Sequence, residues 1–299
     1  MTAPHGIQLR YFHNTAHPAR PGSISSADLS ALIEQSKPLS AREWLDRALH
    51  GQLQPGDNCL TFDGNLSCQR DIALPVVREF NLTAFWFVIT STLLGHPQFL
   101  EIDRLFAAVR FRSEGEFHAA FLETLEASEH WPLVRVLLEE RAVSLRDSRE
   151  EFHFIRDGAL GPVRYREVMD QMMADASFDE REAGRGLWMD EADIVALHRA
   201  GHVIGMHSHT GPLKLADRSE DEQRDEYFEN YAILHNLLDE RPIAMSHPES
   251  SYHDTTLTIL RELGIRVGFT ADADTGNSAL EYPRARPAAV PESRMRAAA

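Results

Sequence analysis

Asp63, the histidines His207 and His209, and His247 are the side chains in this sequence best suited to activating water. A carboxylate can take a proton as general base. A neutral imidazole can bind a divalent metal, which lowers the pKa of bound water and polarises a carbonyl. His207 and His209 are two apart, so in an extended segment both rings leave the same face. Taken singly, Asp63 would cap a loop and each histidine would satisfy a local hydrogen bond. Their positions argue for more, because each group follows directly on a run of β-branched or aromatic residues.

The runs Ile7 to Phe12, Cys59 to Phe62, Phe85 to Thr90, His202 to Met206, Pro242 to Ser246 and Arg266 to Thr270 read as strands. Helical patterns separate them, opening at Ser25 to Leu29 and covering Ser40 to His50, Asp71 to Phe80, Asp190 to Ala200, Ser219 to Leu238 and Asp254 to Leu263. Ser40 and Glu43 have the spacing of a capping box, and Gly201 and Gly264 stand where a left-handed cap ends a helix. Alternating strands and helices predict a mostly parallel sheet, whose carboxyl ends share one face. Asp63, His207 with Ser208 and His209, and His247 would then meet at that face. His13, closing the first run, could line the same mouth or be a loop residue.

The predicted organisation has four parts: residues 1–94 as the first part of an α/β barrel, 95–186 as a helical insertion, 187–282 as the second part, and 283–299 as a disordered tail. The insertion shows helical periodicity (Ile102, Leu105, Phe106, Val109; Phe117, Phe121, Leu125) and no strand. The tail is rich in Pro, Ala and Arg.

Thirty basic against 46 acidic residues leave a formal charge of −16 over 299 residues, which disfavours a nucleic-acid partner, since such binding rests on cations neutralising phosphates. No apolar run reaches membrane-span length and the start of the chain lacks a signal-peptide pattern, so the expected location is cytoplasmic. Cys59 and Cys68 read as free thiols. Nucleotide-binding, zincin and serine-hydrolase motifs are missing from the sequence. Trp86, Trp188, Phe85 and Phe87 read as core, Asp71 as a structural residue at a helix start, and His253 and Asp254 as the opening of the last helix.

The segment LTFDGNLSCQRDIALPVVREFNLTAFWFV resembles the first motif of the polysaccharide deacetylases (the NodB-homology family, carbohydrate esterase family 4), usually T-F-D-D-G. GHVIGMHSHTGP is similar to their second motif, with H-S-x-x-H at its centre, and MSHPESSYHDTTLTILRELGIRVGFT to a later strand–helix–strand unit. LWM before the second motif and LEYPR near the end resemble the branch associated with surface-polysaccharide biosynthesis.

The resemblance implies a deformed (β/α) barrel of the polysaccharide deacetylase type, with the helical insertion. It also implies a hydrolase that removes an acetyl or other acyl group from an amino sugar or sugar ester. The expected partner is a carbohydrate substrate or sugar precursor, and the implied cofactor is a divalent metal, zinc above all. Asp63 matches the general base and His207 the first metal histidine. Gly64 stands where a metal-binding Asp is expected and Gly211 where the second metal histidine is expected. His209 is then a substitute ligand, His247 and Arg284 further catalytic candidates, and His13, Ser208 and Tyr252 substrate-binding candidates. Four alternatives stay open: a rebuilt metal site using Asp63, His207, His209 or His247; metal-free hydrolysis with Asp63 or a histidine as base; a catalytically degenerate barrel that binds glycan or a partner; and ligands lost through engineering or gene decay.

Overall fold

The protein is described by a computed structural model covering residues 3–17, 19–141, 147–212, 214–271, 276 and 278–287. Seven parallel strands form one sheet: β1 (His5–Leu9), β2 (Asn58–Asp63), β3 (Phe85–Val88), β4 (Val203–Met206), β5 (Ala244–Ser246), β6 (Val267–Phe269) and β7 (Arg284–Ala285). Their order is β6-β5-β4-β3-β2-β1-β7. The two edges meet through the segment carrying β7. Tyr282 donates its N–H to the Gly268 carbonyl (2.8 Å), Thr270 donates to Tyr282 (2.9 Å), and Gly6 donates to Pro283 (2.9 Å). One short segment thus bonds β6 on one side and β1 on the other, and the sheet becomes the nearly closed, deformed (β/α) barrel expected from the sequence.

This closure corrects one expectation. The tail predicted from Pro283 starts too early, because Arg284 and Ala285 are a barrel strand and Arg284 is buried. A two-residue strand carries no readable period, and its Pro- and Ala-rich surroundings imitate a tail. Residues 288–299 of the expected tail lie outside the described residues.

Side-chain alternation sorts the strands into two faces. Leu60 and Phe62 of β2, Trp86 and Val88 of β3, and Met245 of β5 pack outward against the helices. Cys59, Phe85, Phe87, Val203, Ala244, Val267 and Phe269 point inward. Neither Cys59 nor Cys68 is in a disulfide, and both are buried. Trp44, from the helix Ala41–Leu49, joins the inner cluster, with ring centroids 5.1 Å from Phe269 and 4.9 Å from Tyr282. The interior is narrow: a Cβ on Gly205 would stand 2.7 Å from both the Ala244 carbonyl oxygen and the Phe87 ring, so only glycine lets β4 approach there. Apolar residues fill this lower and middle interior, and the period of two carries Thr61 and Asp63 of β2 to its carboxyl end.

Three helices of the barrel unit begin on reciprocal side-chain caps. Ser25 with Asp28, Asp190 with Asp193, and Ser219 with Glu222 form reciprocal capping boxes. Gly201 and Gly264 take φ values of 90° and 83° just beyond their helices. Ser40 departs from expectation: its hydroxyl makes no cap bond and instead accepts from the Thr83 N–H at 3.3 Å.

The chain divides into two compact units, Met1–Gln98 with Gly186–Ala299, and Phe99–Arg185. The second is helical throughout its described residues, with main helices Phe99–Arg110, Glu114–Glu126, Trp131–Arg141, Ser148–His153 and Gly161–Asp175. Its core is aromatic: Phe121 and Tyr165 lie 5.5 Å apart and Phe121 and Phe152 5.1 Å apart.

Candidate active site

Parallel strands deliver their last residues to one end of the barrel, and polar groups collect there. Asp63 ends β2 with only 1% of its surface exposed. One carboxylate oxygen accepts from Arg284 Nη1 at 2.8 Å and the other from Gln8 Nε2 at 2.9 Å. Burial alone would push the carboxyl's pKa up, but the Arg284 guanidinium beside it holds it well below the usual carboxylate range. Arg284 also donates Nε to the Thr270 carbonyl at 2.8 Å, so the barrel-closing strand and the Asp63 charge share one side chain. Gln8 extends the chain of contacts, its Oε1 accepting from Arg286 Nε at 3.0 Å.

His207 follows β4 and is buried. Its Nδ1 lies 2.9 Å from the Ser246 carbonyl oxygen. A carbonyl only accepts, so Nδ1 carries the proton and Nε2 keeps its lone pair. Burial lowers the pKa of this ring; the Asp63 charge works against that shift and the Arg10 guanidinium reinforces it. The turn that carries His207 is held from outside. Asn230 Nδ2, on the helix Glu220–Leu238, donates to the Ser208 carbonyl at 2.7 Å and to the Val88 carbonyl at 2.9 Å, tying the ends of β3 and β4 together.

The other expected site residues divide. His247 follows β5 and is fully buried; its Nε2 donates to the Leu280 carbonyl at 2.9 Å, its ring stacks on Tyr252 at 4.1 Å, and burial drives its pKa down to about 4. Tyr252 donates its hydroxyl to Glu281 at 3.2 Å. Ser208 is a turn residue with φ of 61°, its hydroxyl accepting from the Gly211 N–H at 3.1 Å. His13 is engaged locally with the Ser23 hydroxyl at 3.1 Å. His209 is directed toward the helix Glu220–Leu238: Nδ1 is 3.0 Å from the Thr90 hydroxyl and Nε2 is 3.9 Å from Glu229. The same-face arrangement expected for His207 and His209 does not form, because β4 ends at Met206 and Ser208 turns the chain through the left-handed region.

The donor set does not fit a metal centre of the usual kind, three protein ligands and a water. Gly64 and Gly211 offer no donor, Asp63 is committed to Arg284 and Gln8, and His209 is engaged elsewhere. The two glycines differ in surroundings. A Cβ on Gly64 would meet nothing closer than 3.9 Å, whereas one on Gly211 would stand 2.9 Å from Ile89 Cδ1 and 3.2 Å from Gln98 Nε2. Ile89 and Gln98 therefore fill the room that a side chain at 211 would need. Among the described residues no group of three His, Cys, Asp or Glu side chains is arranged to hold a metal ion.

Sequence reasoning missed Gln8, Arg10, Asn230 and Glu249. Gln8 and Arg10 share β1's inward period with Gly6, and that spacing was the available signal. Arg10 Nη1 is 3.5 Å from Glu249 Oε1, and Gln69 Nε2 donates to the carbonyls of both Arg10 (3.0 Å) and Asp63 (2.7 Å). Asn230, a polar residue in a long surface helix, gave none.

The polysaccharide deacetylase family model matches residues 173–268, which include His207 and His247. No curated protein sequence matches the chain. Among solved structures, the Streptococcus pyogenes deacetylase PplD in complex with acetate is 16% identical, with a TM-score of 0.56 over 96% of this chain and 92% of that one. IcaB from Ammonifex degensii is 15% identical, with a TM-score of 0.56 over 99% and 98%. The BpsB deacetylase domain from Bordetella bronchiseptica is 12% identical, with a TM-score of 0.53 over 94% of each chain. Residues 173–268 thus match the polysaccharide deacetylase family, and the chain as a whole shares the barrel fold of these deacetylases.

Proposed function

We propose that the protein is a carbohydrate hydrolase of the deacetylase type, removing an acyl group from an amino sugar or sugar ester inside the cell. The carrying observation is the convergence of Asp63, Arg284 and His207 at the carboxyl end of the deacetylase barrel. The structurally similar deacetylase PplD was solved in complex with acetate, the carboxylate that removal of an acetyl group would release.

The base role expected for Asp63 passes to His207 in this proposal. A carboxylate that already accepts from Arg284 and Gln8 has little affinity for a further proton. His207 is neutral, its tautomer is fixed by Ser246, and its Nε2 lone pair is available. Water attacks the acyl carbon while its proton passes to Nε2, and Asp63 stabilises the imidazolium through charge. The bond from the acyl carbon to nitrogen or oxygen then breaks, and the proton is handed to the departing amine or alcohol. The products are a carboxylate and the free sugar.

Acetate release from N- and O-acetylated sugars tests this scheme, with His207→Gln abolishing release and Asp63→Asn lowering it. Full activity in both variants would refute it. A second reading, ligand binding without turnover, is favoured by the low exposure of the same residues, Asp63 at 1% and His207 at 4%. It is distinguished by saturable sugar binding with no acetate released.

A further inference from the structure

A pocket opens at the amino end of the barrel strands, opposite the end that carries Asp63 and His207. His202, which precedes β4, lines it together with Arg42 of the helix Ala41–Leu49 and with His198, Glu240 and Arg241. Leu45, Leu238 and Pro242 supply apolar wall between these polar groups. All belong to the barrel unit. A few polar groups converging in an apolar-walled concavity is the pattern of a small-molecule site.

The polar groups are mostly donors. His202 is 2% exposed. Its Nδ1 accepts the Ala84 N–H at 3.0 Å, so the proton of the neutral ring sits on Nε2. That N–H has no acceptor among the described residues, and it is not sealed into the core. Burial and the nearby Arg78 and Arg42 charges lower the ring's pKa to about 4, which keeps it neutral near pH 7. Arg42 commits Nε to the Gly201 carbonyl at 2.9 Å, leaving both Nη groups without a partner among the described residues. Arg241 makes neither a hydrogen bond nor an ion pair with any of them. The carboxylate lining the pocket is that of Glu240, with His198 Nε2 3.4 Å from it.

Two permanent cations against one carboxylate make the pocket locally positive in a chain of formal charge −16. Guanidinium forks and an imidazole N–H together suit an oxyanion. A phosphoryl group has three terminal oxygens, one for each of three separate donor side chains, whereas a carboxylate has two.

We propose that this pocket binds a phosphoryl group, either as inorganic phosphate or carried on a small organic molecule, with Arg42, Arg241 and His202 Nε2 as its donors. The site is separate from Asp63 and His207, so it stands whether or not the protein releases acetate. Inorganic phosphate and phenyl phosphate are the probes, titrated into the full chain at constant ionic strength and followed by calorimetry and by the NMR signals of the His202 ring. Arg42→Met and Arg241→Met remove the pocket cations, and Arg112→Met, in the helical unit, removes the same charge elsewhere. Unfolding midpoints within about 3 °C of the wild type establish that the variants are folded. Arg241 is exposed, so its variant carries the test if Arg42→Met, which loses the Gly201 bond, does not fold.

The expected results are saturable binding, movement of the His202 ring signals, and an affinity lower by roughly tenfold or more in each pocket variant, the loss expected for a charge-assisted hydrogen bond. Arg112→Met should bind as the wild type does. Tighter binding of phenyl phosphate assigns the group to an organic ligand seated on the apolar wall; equal or weaker binding assigns it to the free ion. No saturable binding of either probe, unmoved His202 signals, wild-type affinity in Arg241→Met, or an equal loss in Arg112→Met would each overturn the proposal.

Discussion

Arg284→Met separates the barrel's closure from its charge balance. In the wild type the Asp63–Arg284 pair is sealed from solvent at 2.8 Å, with the same guanidinium bonded to the Thr270 carbonyl. Removing one partner of such a pair leaves a buried charge uncompensated and costs about 3–5 kcal/mol. Replacing both partners with apolar groups of similar size is often close to neutral, so Asp63→Leu combined with Arg284→Met should recover much of the loss. The pH dependence supplies an independent check. Wild-type Asp63 has a folded pKa below its unfolded value of about 3.9, so its contribution is present above that pH and is lost only in stronger acid. In Arg284→Met, burial acts without the opposing cation and raises the folded pKa above the unfolded one. That contribution is then lost as pH rises, and the gap between the proteins should widen from pH 4 to pH 7 by at most about 1.4 kcal/mol per unit. Urea unfolding followed by tryptophan emission suits the measurement, because Trp44 and Trp86 are fully buried in the barrel unit. A loss under about 1 kcal/mol, or a double variant no more stable than the single one, would refute the account of this pair.

Three other perturbations follow from the geometry. His202 accepts the Ala84 N–H at Nδ1 (3.0 Å), and burial lowers its pKa to about 4; the unfolded chain takes the proton first, so stability should fall by up to about 3 kcal/mol between pH 6.5 and pH 4. His202→Gln should flatten that slope in acid titrations of unfolding, and an unchanged slope would contradict the assignment. Gly211→Ala should cost about 1–3 kcal/mol, from its φ of 66° and the 2.9 Å approach to Ile89, and more than Gly64→Ala, which meets only the backbone penalty; denaturant midpoints in the reverse order would count against the packing described. Burial raises the pKa of Asp103 in the helical unit to about 7, so its contribution is lost as pH rises from about 4 to 7, by up to about 4 kcal/mol. Asp103→Asn should remove that dependence, as read from helix content during urea unfolding at several pH values.

The barrel was legible where hydrophobic period and length agree. Phe85 to Val88 alternates large residues between two packed faces, and Cys59 to Asp63 does so with its carboxylate at the end. Caps with two reciprocal partners, such as Ser219 with Glu222, were readable because both residues announce themselves in sequence. Ser40 was not, since only the fold brings Thr83 to its hydroxyl. β7 escaped notice because its strand partner is β1, at the opposite end of the chain, and two residues carry no pattern. The site was partly readable: Asp63, His207, His247 and Arg284 were named; the first three stand at the carboxyl ends of their strands, and the Arg284 guanidinium reaches Asp63 from β7. The direction of His209 depends on a single left-handed residue, Ser208, and the crowding at Gly211 comes from Ile89 and Gln98, more than 110 positions away. Neither appears in a motif. Gln8 and Arg10 share β1's inward period, but the side chains they meet, Asp63 and Glu249, come from elsewhere in the chain.

Acetate release from N-acetylglucosamine oligosaccharides by chelator-treated protein tests the central claim most directly. The account predicts equal rates before and after chelation, and none in His207→Gln. A rate abolished by chelation and restored by zinc, or no release from any acetylated sugar, would contradict it.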